Sequence, residues 1–245
     1  MATLKTKAIQ PSTGTNVNLG TSGDAVLLSS DSIQTNLYKD AGGNTIFQSD
    51  GAGTLSNVNS AMSGAGPKLI TSTTAPAGTS SISFTSGLGD YDHLMFVFTE
   101  IQHSNDDRFL SFQVSTDGGS SYGIAMTSTF FYANHMWSWS NAATLGYDTS
   151  RDLANSTSYQ KLTQSSDNGG TITGANASGI MHLFGCASTT YVKQWYARVG
   201  NIYYIQGVYD NFTSGYVNTT SAVNAINFKP DSNTFKGTIK MYGIA

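Results

Sequence analysis

Charged residues are scarce in this sequence. Only 11% of the 245 residues are Asp, Glu, Lys or Arg, whereas ordinary globular domains carry about 25%. The formal net charge is −3 and the chain has no basic run. The electrostatic footprint of a nucleic-acid-binding protein is therefore missing, and we expect no nucleic-acid partner.

Cysteine is also rare, and long apolar runs and a secretory leader are lacking. The one cysteine, Cys186, excludes an intrachain disulfide, and its apolar neighbours favour a buried, inert thiol. No stretch approaches the roughly 18 apolar residues of a membrane span, and residues 1–7 lack the apolar core of a signal peptide. We expect a protein that is made in a bacterial cytoplasm and does not insert into a membrane.

Ser, Thr, Asn and Gly occupy the positions that charged residues usually fill, and together they disfavour helices. Their side chains compete for backbone hydrogen bonds, or, for Gly, add an entropic cost. Aromatic residues make up 11% of the chain, and Tyr and Phe are common in strands. No convincing amphipathic helix is visible, so the composition predicts an all-β protein.

Residues 1–60 contain short apolar pieces separated by turn formers such as Asp40–Asn44 and Asp50–Gly53. Strands this short are marginal alone, and about 60 residues with so few large apolar side chains bury little core. We interpret this part as an extended, intertwined β segment that anchors the protein to a particle and trimerises by sharing an apolar axis, with disorder as the alternative. The residues expected to serve docking and trimerisation are Leu4, Ile9, Val17, Leu19, Val26, Leu28, Ile46 and Phe47.

The remainder divides into a linker with a first strand region, residues 61–79, and a β-sandwich over residues 80–245. Alternation at Ile82 and Phe84 and in Leu110–Val114 predicts strands with one buried face, whereas Leu94–Phe98 is apolar on both faces, as in a strand covered on each side. Asp117–Gly119 indicates a hairpin turn into a strand at residues 122–126, and residues 133–157 indicate a long loop. Nine or ten strands predict a jelly-roll-like sandwich.

Three motifs in this region resemble those of bacteriophage fibre and appendage proteins. Phe235–Ile244 is similar to the G-T-I-K-L-Y-G-I ending of many of them. Tyr91–Phe98 is similar to their aromatic strand after a Tyr-Asp pair, and Ser115–Tyr122 to their S-T-D-G-G-S-S-Y hairpin. The three matches occur in the family's order and cover roughly residues 80–245.

The resemblance implies a homotrimeric virion protein whose N-terminal part docks on another phage structural protein and whose C-terminal jelly roll points outward. The docking partner would be a tail hub, a tail tube or the capsid. The shared motifs are structural and imply no catalytic residues.

A search for catalytic and metal-binding patterns favours none of them. Gly119–Gly123 fits G-x-S-x-G, but a nucleophile elbow requires a strand-to-helix turn, and no helix is predicted here. The histidines lack the i, i+4 spacing of a zinc motif, and Asp106-Asp107 lacks the spaced loop of an EF-hand. We expect no catalytic residue, metal or cofactor. A polysaccharide depolymerase that uses paired carboxylates is the alternative.

Residues 130–139 form an aromatic cluster in which Trp137 and Trp139 share one face if the segment is extended. Aromatic side chains beside Asn and Ser suit sugar stacking or protein anchoring, and packing in a core or trimer interface is the alternative. Three hypotheses follow: a fibre subunit for structural display, a host-receptor tip that binds a surface glycan, and an enzyme. The glycan-binding residues of the second hypothesis are Tyr132, His135, Trp137 and Trp139.

Overall fold

A computed structural model describes residues 37–40, 42–56, 58, 66–137, 143–170, 172–203 and 207–244. Every regular element in these residues is a strand, so the all-β prediction is confirmed for the part described. No helix suited to crossing a membrane is found there. The chain divides into two compact units, Met1–Gly64 and Ala65–Ala245.

The first unit contains a small antiparallel sheet of three strands in chain order, β1 (Leu37–Lys39), β2 (Thr45–Ser49) and β3 (Leu55–Ser56). The Asp40 carboxylate accepts hydrogen bonds from the backbone and side-chain amides of Asn44 and closes the first turn. Tyr38 stacks on Phe47 with ring centroids 4.4 Å apart. No side chain described in residues 37–58 is buried, so this sheet has no core of its own. Of the residues expected to serve docking, only Ile46 and Phe47 lie within the described part.

The second unit is a sandwich of two antiparallel sheets, which confirms the predicted fold class. The large sheet has eight strands, in the spatial order β4 (Lys68–Thr79), β15 (Phe235–Ile244), β6 (His93–His103), β11 (Ala177–Phe184), β12 (Lys193–Tyr203), β13 (Gly207–Val217), β8 (Met126–Met136) and β9 (Ala143–Tyr147). The small sheet has four, in the order β10 (Gln160–Lys161), β7 (Leu110–Ser115), β14 (Ala225–Pro230) and β5 (Ile82–Phe84).

The core lies between the two sheets, because strand residues at alternate positions point to the same face. Phe228 on the small sheet is fully buried and lies in the middle of an aromatic cluster. Its ring centroid is 5.2 Å from that of Phe98 and 5.3 Å from that of Phe96, both on the large sheet. Edge and tilted ring contacts of this kind fix how the two sheets pack.

Two predictions from the sequence are wrong, the hairpin at Asp117–Gly119 and the long loop at residues 133–157. Asp117–Gly119 does not join a hairpin, because β7 pairs with β10 and β14 whereas β8 pairs with β13 and β9, in the other sheet. The Asp117–Gly119 turn therefore carries the chain from one sheet to the other. Residues 133–157 are not one long loop, because β8 continues to Met136 and β9 follows it. Alternation missed these strands because both faces of them carry mixed aromatic and polar residues.

The sandwich has two distinct ends. The chain enters β4 at Lys68, which pairs with Gly243, and this entry end also includes His93. The opposite end, here called the far end, contains His103, which pairs with Phe235, together with the turn at residues 172–176 and the last residues of β8. The two ends offer different groups for binding.

Truncation of Phe228 tests the packing of the sheets. We expect Phe228→Ala to lower the free energy of unfolding by about 3–5 kcal/mol, because it leaves a cavity where four other Phe rings converge. Urea unfolding measures the change. The control Tyr191→Ala removes an exposed aromatic side chain and should change the value by less than about 0.5 kcal/mol. Equal effects would contradict the assignment of the core.

Candidate functional site

The predicted glycan-binding residues lie on both faces of β8 or beyond it. Tyr132 shares the face of the buried Phe130, and its ring centroid is 5.1 Å from that of Tyr209. His135 and Trp137 lie on the opposite face, and Trp137 is 63% exposed. Trp139 lies outside the described residues. The structure therefore brings His135 and Trp137 together and separates Tyr132 from them.

His135 and Trp137 line a shallow, mainly apolar depression of about 280 Å³ at the far end, here called the aromatic groove. Its other lining residues are Ile172, Ile202, Gly207 and Val208. Ile172 belongs to the 172–176 turn, so this turn contributes to the wall of the groove.

A larger depression, here called the polar groove, is also lined by residues of this turn. Its volume is about 480 Å³, and it is lined by residues of β4, β15, β6 and the turn, including Thr74, Glu100, Gln102, Asn176 and Lys236. Glu100 is the only Glu in the sequence. Neither its carboxylate nor the Lys236 ammonium forms an ion pair within the described residues. Sequence patterns gave no indication of this groove, because its residues come together only through strand pairing.

His103 lies beneath the polar groove at the end of β6 and is 2% exposed. Neither ring nitrogen has a hydrogen-bond partner among the described residues. Burial lowers the pKa of His103 to about 4; Asp231 opposes this shift and Arg108 adds to it. The imidazole is therefore neutral near pH 7. It lines a cavity of about 170 Å³ that shares Ala77, Gln102 and Lys236 with the polar groove.

A third feature is the outer face of the large sheet, the face turned away from the small sheet. Strand register aligns Val97, Ile180, Arg198, Phe212, Phe131 and Tyr147 in one row across it. Phe131 and Phe212 stack with ring centroids 5.0 Å apart, and Phe131 is 41% exposed. Arg198 is paired with Asp210 at 2.7 Å, and Lys240 lies beside Val97 at the other end of the row without an ion pair among the described residues. This aromatic surface is the kind that marks an interaction site.

Two histidines that are far apart in sequence meet on the outer face. His93 Nε2 lies 2.6 Å from His182 Nδ1, with Phe184 and Tyr196 stacked beside the pair. Burial lowers the pKa of both, and for His182 the neighbouring His93 contributes as well. One neutral ring can therefore donate to the other.

The remaining motifs have structural roles. In the G-x-S-x-G segment, Ser121 and Ser115 donate hydrogen bonds to Asp117, and these bonds lower the pKa of that carboxyl. Asp106 and Asp107 accept bonds from Asn168 and Ser165 and so tie the 165–168 segment to the end of β6. Within the described ranges, no group of three or more His, Cys, Asp or Glu side chains is placed to hold a metal ion.

Comparison of the chain with protein-family models, with curated proteins and with solved structures found no match in any of the three. The structure by itself defines an all-β protein with a two-sheet sandwich and a second, small β unit. The sandwich has an aromatic outer face and two grooves at its far end.

The buried His103 predicts a dependence of stability on pH. The unfolded chain binds a proton near pH 6.5 and the folded chain only near pH 4. The free energy of unfolding therefore falls as the pH drops through that range and is unaffected by His103 above it. We expect His103→Leu to show a shallower fall between about pH 7 and about pH 5 in urea unfolding. His93 and His182 shift in the same direction, so part of the slope persists.

The control variant is His135→Leu, which removes an exposed histidine. It should keep the slope of the unaltered protein. If both variants gave the same slope, His103 would not be the buried neutral group described above.

Proposed function

We propose that this protein is a structural subunit of a bacteriophage particle that works as a homotrimer. Its N-terminal unit docks on a tail hub, a tail tube or the capsid, and its sandwich is displayed outward. The resemblance of Tyr91–Phe98, Ser115–Tyr122 and Phe235–Ile244 to phage fibre proteins supports the phage assignment. The observation that carries the proposed assembly is the small N-terminal sheet without a buried side chain.

A sheet whose strands have three, five and two residues is marginal in water unless something covers one of its faces. The aromatic pair Tyr38 and Phe47 is only half-buried. Copies of the same segment would cover these rings with further apolar surface, and the free energy of that burial scales with the area removed from water. Assembly thus supplies the core that one copy lacks.

The outer face of the large sheet gives a second, independent argument. The sequence of β6 is apolar on both faces, yet the small sheet covers only the face with Leu94, Phe96 and Phe98. Met95 and Val97 stay partly exposed. Arg198 and Asp210 neutralise each other within the chain, and Lys240, beside Val97, is the other charged residue in this row. A second copy of this chain fits the aromatic part of the surface, around Phe131 and Phe212, where no like charges meet when copies pack.

Light scattering on the purified full chain tests the assembly. We expect a mass about three times the chain mass of 25.9 kDa. Phe47→Ser and Phe131→Asp should each shift the mass toward the monomer at low micromolar concentration, because each removes apolar surface from a proposed contact between copies.

The matched controls are Lys39→Ala, an exposed residue in the same small sheet, and Tyr191→Asp, an exposed aromatic outside the large sheet. Both should keep the trimer mass. A monomer for the unaltered protein would contradict the proposed assembly.

Labelling of virions tests the location. We expect a tag at the C-terminus to appear in cryo-electron images as density projecting from the tail or the capsid, with three labels at each site. The label should lie farther from the particle body than a label at the N-terminus, because the N-terminal unit is the proposed anchor. Virions without label, from a host that expresses the tagged protein, would refute a structural role.

A second function, recognition of a host glycan, is favoured by one observation. Trp137 is 63% exposed and stands beside His135 in the aromatic groove. Exposed Trp rings are common platforms for sugars and for protein partners. This role is compatible with a particle-bound subunit.

A further inference from the structure

The two edge strands of the large sheet, β4 and β9, differ in how well they are protected against a further strand. β4 begins at Lys68, contains Pro76 and shifts register twice against β15. Charges, prolines and bulges all hinder the addition of a strand to a sheet edge. β9 has the sequence Ala-Thr-Leu-Gly-Tyr, without a charge or a proline, and it pairs with β8 without a register shift. Its sequence and register therefore leave this edge unprotected.

The backbone of β9 presents polar groups at its free edge. The Asp148 N–H donates to the Phe130 carbonyl at 2.9 Å, and successive residues of an antiparallel strand point their backbone groups alternately toward and away from the paired strand. Because the register is unbroken, the even-numbered residues of β9 bond to β8 as residue 148 does. No described strand lies on the other side of β9. The residues whose N–H and C=O groups point to that side are Ala143, Leu145 and Tyr147.

The same three residues of β9 point their side chains to the outer face of the sheet. Tyr147 belongs to the row with Phe131 and Phe212, and alternate residues of a strand share one face. Leu145 is 75% exposed and Tyr147 is 54% exposed. Exposed apolar side chains along an unpaired sheet edge mark a place where another strand adds. The edge thus offers hydrogen bonds and apolar surface together.

The sequence of β9 is complementary to itself when two copies run antiparallel. The register that pairs all five residues places Leu145 opposite Leu145 of a second copy and Tyr147 opposite Ala143. Each large ring thus faces a small side chain, and no like charges meet because β9 contains no charged residue. The outward-pointing backbone groups of the two copies exchange about six hydrogen bonds in this register. A second copy of the chain therefore fits this edge.

We propose that β9 of one copy pairs with β9 of a second copy across a two-fold axis and joins their large sheets into one. Two-fold contacts are the commonest ones between identical chains. A strand of five residues buries far less than the roughly 1,200 Å² of a stable interface, so the contact is weak in dilute solution and is populated where copies are crowded together. It goes beyond the proposed trimer, because it links chains of neighbouring assemblies.

A disulfide at the two-fold axis tests the pairing. The two Leu145 Cα atoms would be about 5.5 Å apart, within the range that a disulfide spans. Full-length Leu145→Cys in oxidised glutathione, which is reduced as the two thiols join, should therefore give a covalent pair of chains on a non-reducing gel. The control Leu69→Cys replaces an exposed leucine on the other edge strand and should stay a single chain. Cys186 is buried in both variants.

Absence of the covalent pair for Leu145→Cys would overturn the proposed pairing. Equal yields of covalent pairs from the two cysteine variants would also overturn it, because they would show random collision.

Charges placed at Leu145 test the same contact in solution. The mass of the unaltered protein from light scattering should double between low micromolar and roughly millimolar concentration. Leu145→Lys and Leu145→Asp should each lose this doubling, because like charges then lie directly opposite each other. An equal mixture of the two variants should regain it. The matched control Leu69→Lys should double as the unaltered protein does.

The mass at low concentration separates this contact from the proposed trimer. A trimer mass that stays constant at all concentrations would leave the β9 edge to a strand of another protein and overturn the pairing. A monomer whose mass doubles would contradict the trimer and support the pairing. Doubling by either charged variant alone, or no recovery in their mixture, would overturn the pairing of β9 with itself.

Discussion

An eight-stranded sheet has two faces, and the small sheet of this sandwich covers only one of them. The covered face holds the Phe-rich core around Phe228, which fixes the position of both sheets. The other face is left with Phe131, Phe212, Ile180 and Tyr196. The proposed assembly of copies follows from this uncovered face. With only 11% charged residues, the chain has few charged side chains that could keep a broad sheet face in contact with water.

The two outward sides of the sandwich, one on each sheet, differ in their side chains. The outward side of the small sheet is polar and internally satisfied: Tyr159 donates to Asn227, and Asn227 donates to Ser83. Gln113 is bonded to the carbonyls of Thr157 and Ser158 in the same way. Gln113 and Asn227 are themselves buried, so the segment that contains Thr157, Ser158 and Tyr159 covers this side of the small sheet and pairs its polar groups. The outer face of the large sheet is aromatic instead, and it suits a face that meets protein.

The far end combines strain, burial and unpaired polar groups at one place. A bulge at Glu100 shifts the register between β6 and β15, and as a result Gln102 and Lys236 face the groove while His103 turns inward. The aromatic groove with Trp137 lies at this end, whereas the proposed assembly surface around Phe131 and Phe212 lies farther along the same strands.

The sequence by itself determined the class of fold and most of the strands. Alternation over Leu110–Val114 and Phe235–Ile244 and the dearth of helix formers require only local information, and local information is what strand periodicity contains. Ile46 and Phe47 could likewise be recognised as a strand too short to stand alone. Strand pairing, by contrast, depends on contacts between distant residues. Only the tertiary structure showed that β7 and β8 lie in different sheets, that His93 meets His182, and that Tyr132 turns away from Trp137. For the same reason the polar groove was invisible in sequence: Thr74, Glu100, Asn176 and Lys236 belong to four separate segments, and the register of the large sheet alone makes them neighbours.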